Sequence, residues 1–167
     1  MADNRLSFRI TSPADFLAKL KLERESLESD LTSSRHAINA AMTAWHLLEW
    51  VWGGAIQDDN ATRLRLGAAS KDFPTFRQFV LDKCPAMETM RCIGEGSKHF
   101  GGTAGTGVIE TREHGGAFSS GFSKAFDISR LEVQKSDRTT AYFDLELDAV
   151  IQFWEDFFSR YLTAPGA

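Results

Sequence analysis

The sequence predicts a mainly α domain of the α+β class: a bundle of four or five helices with a small antiparallel β-sheet inserted before the C-terminal helix. Three observations carry this. Residues 35–52 read RHAINAAMTAWHLLEWVW, eighteen residues without Gly or Pro and rich in Ala, Leu and Met. Such a run is a helix, and its apolar circumference makes it the most buried helix of a bundle. From Val108 to Leu147 the character changes to short β-prone runs separated by Gly, Ser and Asp. Helical spacing then returns, with Val150, Trp154, Phe157, Phe158 and Tyr161 on one wide apolar stripe that must dock on the bundle.

The elements follow in order. Leu6–Ile10 alternates and reads as a short strand. Ser12-Pro13-Ala14-Asp15 starts a helix, with Ser as N-cap, Pro at the first helical position and an acid in the first turn. It runs to about Asp30, placing Phe16, Leu20, Leu27 and Leu31 inward. Thr32-Ser33-Ser34 is a short connection, so the first two helices are antiparallel neighbours. Gly53-Gly54 is expected to end the second helix.

Residues 56–66 read as a short helix capped near Asp58 or Asp59, with Leu64 and Leu66 inward, and Gly67–Asp72 as a loop. A further helix covers about Pro74–Lys83, with Phe76, Phe79 and Val80 on one face. Cys84-Pro85 breaks it, because Pro disfavours helix in the residue before it. The next runs from Pro85 to about Phe100. Val108–Glu113 reads as a strand, Gly115–Ser129 as a Gly/Ser/Phe loop whose composition predicts mobility, and Leu131–Gln134 and Thr139–Leu147 as two strands. Asp148, or Asp144, is expected to cap the final helix, which ends near Leu162. One domain is therefore expected over 1–167: a bundle part at 12–100, a β-insert at 106–147 and a docking helix at 148–162.

The bulk properties exclude some functions. The net charge of −4 and pI near 5.6 argue against a basic nucleic-acid-binding domain, leaving room only for a local patch. Cys84 and Cys92 have neither zinc nor disulfide-framework spacing, which points to a reducing cytoplasm. No signal-peptide layout and no membrane-span-length apolar run is present, so a membrane role is not expected. Phosphate loops, dinucleotide glycine patterns, Gly-x-Ser-x-Gly and His-Glu-x-x-His are all absent.

Two stretches carry residues suited to chemistry. Arg35, Asn39, Met42, Thr43, His46 and Glu49 share one stripe of the second helix, which is either its wet face or a polar site inside the bundle. A His in such a helix is more often a satisfied core residue than a catalyst. The second stretch is Met90–Phe100. Its Gly94 and Gly96 each cost about 1 kcal/mol in a helix relative to Ala, so a close neighbour or ligand is expected there. Arg91, Glu95, Lys98 and His99 share one side. The plain reading is a solvated face with an Arg91–Glu95 pair contributing about 0.2–0.5 kcal/mol. The functional reading turns Arg91 and His99 toward a phosphate or ribose, since Arg presents a fixed fork of donors and His titrates near neutrality. His46 and Glu49 with Glu95 and His99 would also make a donor set for a metal ion inside a bundle. Phe118, Phe122 and Phe126 recur in the Gly/Ser loop and could dock on the body, pack a partner or stack bases. His36 and His114 show no chemical company in the sequence.

A long apolar second helix followed by a helix carrying Arg91…Ser97-Lys98-His99-Phe100 resembles the HEPN superfamily, over about residues 12–100. The resemblance implies a small α-helical, frequently dimeric bundle of the kind found among RNA-cleaving toxins and antiviral effectors. It implies Arg91 and His99 as a metal-independent ribonuclease pair at a dimer interface; Asn39, His46, Glu49, Glu95 and Lys98 of the two polar stripes are the expected binding residues, and no cofactor is expected. The spacing from Arg91 to His99 is longer than the family's usual one, and Cys92 stands where an Asn often follows the Arg. Inactive members serve as partners or binding modules. The expectations are thus an RNA-acting protein of toxin–antitoxin or defence type, a non-enzymatic dimeric interaction module, or a metal-binding bundle; the expected partners are a second copy, an RNA or another protein.

Overall fold

The computed structural model describes residues 7–67, 72–98, 107–118, 123 and 125–162. Among these are six α-helices: α1 (Pro13–Ser29), α2 (Ser34–Val51), α3 (Asn60–Arg65), α4 (Phe73–Lys83), α5 (Ala86–Lys98) and α6 (Phe143–Phe157). A three-stranded antiparallel sheet of β1 (Val108–His114), β2 (Arg130–Lys135) and β3 (Thr140–Tyr142), in that order, precedes α6. The predicted fold class is the observed one. No described helix is long and apolar enough to cross a membrane.

Helix α2 is the centre. Ser33 caps it, accepting from the His36 amide. Ala37, Ala40, Ala41, Ala44, Leu47, Leu48 and Val51 are buried, and α1, α5 and α6 pack around it. The alanines leave room for close helix approach. At Gly94 of α5 a Cβ would meet the Met42 Cα at 3.6 Å and the Ala41 carbonyl oxygen at 3.8 Å, so the expected close neighbour of that glycine is α2. Gly96 faces open space, and nothing in the packing explains it.

The two glycines after α2 do not stop the helix. The chain widens into a π-helical turn over Trp52–Ile56, closed by the Gln57 amide on the Trp52 carbonyl at 2.8 Å. Gly54 lets Pro13 approach, because a Cβ there would lie 2.8 Å from Pro13 Cγ. The carbonyls at the end of the turn are taken by Arg63, a buried α3 residue whose Nη1 donates to the oxygens of Ile56 and Gln57. A wide turn can persist only if such carbonyls are satisfied. Asp59 caps α3 by accepting from the Thr62 amide, as expected. Leu66 is buried, but Leu64 is 59% exposed rather than inward, because the inward position of that turn is held by Arg63.

Two other expectations are corrected. Ser7–Ile10 is a turn rather than a strand; it closes through the Ile10 amide on the Ser7 carbonyl, with Phe8 at φ 56°. The third strand is only three residues long, and the last helix begins at Phe143 rather than at 148. Its N-cap is Tyr142, which makes no side-chain cap bond, so neither Asp144 nor Asp148 caps it. Asp148 instead receives a two-pronged clamp from Arg24 of α1, at 2.6 and 3.1 Å.

Polar and aromatic contacts set the sheet and α6 on the bundle. Glu146 of α6 accepts from Lys135 of β2 at 2.9 Å and from Thr89 of α5 at 2.7 Å. The Leu131 amide donates to the Leu31 carbonyl in the α1–α2 connection at 3.0 Å. At the far end of α6, Phe157 lies 6.0 Å from Phe76 and 6.4 Å from Phe79 of α4, and Phe76 lies 5.5 Å from Trp52. These edge and tilted contacts add to burial of the rings themselves.

Gly94→Ala should be neutral or stabilising by up to about 1 kcal/mol, since its Cβ contacts are ordinary and helix propensity rises. Gly94→Leu should destabilise by about 1–3 kcal/mol by wedging α2 from α5. Urea unfolding of both variants measures the pair.

Candidate functional site

On β1 and β2 the polar residues recur every second position, as Arg112-x-His114 and Arg130-x-Glu132. Residues two apart on a strand share a face. The register sets Arg112 opposite Glu132 and His114 opposite Arg130, while Tyr142 on β3 sits opposite Glu132 from the other side. The sequence therefore assembles a charged row across one face of the sheet.

Glu132 is its centre, with a side chain only 10% exposed. Arg112 donates to its Oε1 through Nε at 2.7 Å and through Nη2, and His114 Nδ1 lies 3.9 Å from its Oε2. The other ring nitrogen of His114 donates to Asp127 Oδ1 at 2.8 Å. Asp127 also accepts from the Ala117 amide at 3.2 Å. These hydrogen bonds, His114 first, hold the Asp127 carboxyl below the ordinary aspartate value. The base of the Gly/Ser/Phe loop is thereby tied to the sheet. Phe118 and Ser129 bond there too, and Gly116 runs so close to Ile128 that a Cβ would lie 2.3 Å from its backbone carbon. Residues 119–122 and 124 lie outside the described residues, so the expected mobility of that part and the place of Phe122 are outside them as well.

Arg130 extends the row inward. Its guanidinium carbon stands 4.2 Å above the Tyr142 ring, and Nη1 lies 3.7 Å from Asp144 Oδ2, with side-chain exposures of 9% and 2%. Asp144 occupies the first turn of α6, where the helix dipole favours a negative charge. The Arg130 Nε is buried without a hydrogen-bond partner among the described residues.

The residues singled out in the sequence are placed differently. Asn39, His46 and Glu49 are exposed on α2, so the stripe is the wet face of that helix. Thr43, the buried exception, accepts from Lys19 of α1. On α5, Arg91 and Glu95 do pair, at 2.7 Å. Arg91 is also held in a fork by Glu88, Nε at 2.8 Å and Nη2 at 2.6 Å. The guanidinium thus spends a bond from each of its three nitrogens on carboxylates. Lys98 is exposed, and His99 lies outside the described residues. No hydrogen bond or ion pair among the described residues links Asn39, His46 or Glu49 to the α5 candidates. Among those residues, no three His, Cys, Asp or Glu side chains form a metal-binding group. Burial pushes the Cys84 and Cys92 thiols up, away from the thiolate form a nucleophile needs.

A cleft of about 330 Å³ lies against the sheet, bordered by Thr111, Glu113, Leu131 and Val133 and also by Arg112 and Glu132 of the charged row. Ala37 and Ile38 of α2, Ile93 of α5, Leu131 and Val133 of β2 and Phe143 of α6 supply its apolar lining. Thr32, Ser34, Thr111, Arg112, Glu113 and Glu132 stand among them as the polar part. No sequence reading marked this cleft, because its walls come from five separate elements and the α2–α5 approach at Gly94.

Comparison with family models, with curated proteins and with solved structures finds no match for this chain.

Arg130→Met should cost about 3 kcal/mol in chemical denaturation, since it removes the buried cation that lies 3.7 Å from the Asp144 carboxylate. Acid should destabilise the fold below the ordinary aspartate value of 3.8. Asp15, Asp30, Asp59, Asp127 and Asp137 are all held lower by hydrogen bonds, so the unfolded chain binds more protons there. The stability they contribute is complete above that value and is lost as pH falls through their folded values. Urea midpoints measured downward from pH 5 test this, and a flat profile would refute it.

Proposed function

We propose that this protein is a non-enzymatic binding module whose cleft, between α2, α5 and the sheet, takes a compact ligand with an apolar body and a polar end. The single observation that carries the reading is the cleft itself: six apolar side chains converge on it, with hydroxyls and charged groups at Thr32, Ser34, Thr111, Arg112, Glu113 and Glu132. Its volume falls in the range of small-molecule sites, which are typically about 300–1,000 Å³ and mostly apolar with a few fixed polar groups. Apolar lining supplies affinity through desolvation, and the polar groups orient the ligand.

The chemistry of the polar clusters favours binding over catalysis. His114 is engaged by carboxylates at both ring nitrogens. A phosphate at Arg91 would compete with the carboxylates of Glu88 and Glu95 that already hold it, so the RNA-cleaving reading carries a cost that the binding reading does not. A charge-assisted fork of this kind is among the stronger side-chain pairs.

Anilinonaphthalene sulfonate, with an aromatic body and one anionic end, is the probe. It should bind the folded protein with a fluorescence rise. Ile93→Trp, which fills the cleft, should weaken binding by at least about tenfold, roughly 1.4 kcal/mol, at an unchanged circular-dichroism spectrum. Equal binding to both proteins would sink the proposal.

A further inference from the structure

We infer that the outer edge of β1 pairs antiparallel with β1 of a second copy of this chain, joining two three-stranded sheets into one of six strands. This goes beyond the cleft reading and does not depend on it.

The ladder shows which backbone groups are left for a partner. In β2, the Leu131 amide goes to Leu31 and the Lys135 amide to Thr139, both away from β1. Hydrogen-bonding direction alternates along an antiparallel strand, so Arg130, Glu132 and Gln134 are the β2 residues that bond toward β1. Their partners His114, Arg112 and Glu110 therefore point inward, and the N–H and C=O groups of Thr111 and Glu113 point outward. No strand among the described residues pairs with that edge. The sheet's other edge, β3, is three residues long, whereas β1 has seven. A short edge is a usual defence against strand addition; β1 has only the irregularity between Val108 and Glu110.

Charge selects the partner and the register. An added two-fold strand must set outward residues against outward residues, which leaves three pairings near the middle of β1. Centred on Arg112, the pairing puts Arg112 opposite its own copy. Centred on Glu113, it puts two glutamates together. Centred on Thr111, it places Glu110 of each chain opposite Arg112 of the other, twice. Opposite charges directly across a pair stabilise it and like charges oppose it, so only the Thr111-centred register is self-complementary. Arg112 can serve it, because its bonds to Glu132 use Nε and Nη2, leaving Nη1. Its side chain is 52% exposed. The same pairing covers part of Ile109, an exposed apolar residue at the irregular end of the strand.

Sedimentation equilibrium of the full chain tests this, with circular dichroism confirming each variant's fold. The wild type should be a dimer that weakens with added salt. Glu110→Arg sets like charges opposite and should raise the dimer dissociation constant roughly tenfold or more. Thr111→Pro removes an outward N–H that the internal ladder does not use, a tolerated edge position, and should give monomer. Glu25→Arg, the same charge change on exposed α1, should leave the dimer intact. A wild type that stays monomeric at millimolar concentration overturns the inference, as does a dimer indifferent to both β1 variants. The fluorescent-probe titration on Glu110→Arg, whose residue does not line the cleft, separates the two proposals, since loss of the dimer with retained probe binding leaves the cleft reading standing.

Discussion

The close approach of α2 and α5 at Gly94 is the constraint on which the rest of the structure depends. A run of small residues, Ala37, Ala40, Ala41 and Ala44, gives α2 a thin buried face. Gly94 lets the α5 backbone sit against Met42 and Ala41. Interiors pack to crystal-like density, so this spacing governs where Ile93 falls and how far the sheet stands from α2. The cleft lies where this helix seam meets the sheet, with Ala37 and Ile38 of α2 and Ile93 of α5 on one side and Leu131 and Val133 on the other.

The polar face of the sheet follows a different logic. Arg130, Glu132 and Asp144 are buried, and each sits beside an opposite charge or an aromatic face. Such groups rarely add net stability over apolar side chains of similar volume. Here they tie β1, β2, the base of the Gly/Ser/Phe loop and the start of α6 into one arrangement. Arg63 does the same at the opposite end, fixing a π-helical turn through its carbonyls. In both places a buried arginine sits beside oxygens, the Ile56 and Gln57 carbonyls in one and the Asp144 carboxylate in the other.

Much of the architecture was legible because its signals are local. Ser12-Pro13-Ala14-Asp15 forms a capping box, and Pro85 breaks the chain after Lys83 where expected. Phe143–Leu147 was ambiguous for a physical reason. Phe143, Leu145 and Leu147 satisfy a strand period, but Phe143, Leu147, Val150, Trp154 and Phe157, the residues actually buried, satisfy a helical one. The longer pattern prevails, and Leu145 is left exposed. The Gly53-Gly54 stop failed because a wide turn depends on Arg63, ten residues on. His114 appeared isolated because its partners Asp127 and Glu132 reach it only through the register of β1 on β2. The alternation Arg112-x-His114 and Arg130-x-Glu132 was the available signal, and it gains meaning only once the two strands are aligned.

Tyr142 ends β3 and Phe143 begins α6, with no residue between them. The strand and the helix thus share a peptide bond where most such junctions have a loop of several residues. The junction has no slack, so the sheet rides on α6 as the head of a rigid rod whose shaft carries Trp154 and Phe157 into the core. One residue inserted at this joint would rotate the whole helix by about 100° relative to the sheet. Either the aromatic stripe or the Arg130–Asp144 contact would then lose its place. The length of this junction is therefore as much a specification of the fold as any side chain in it.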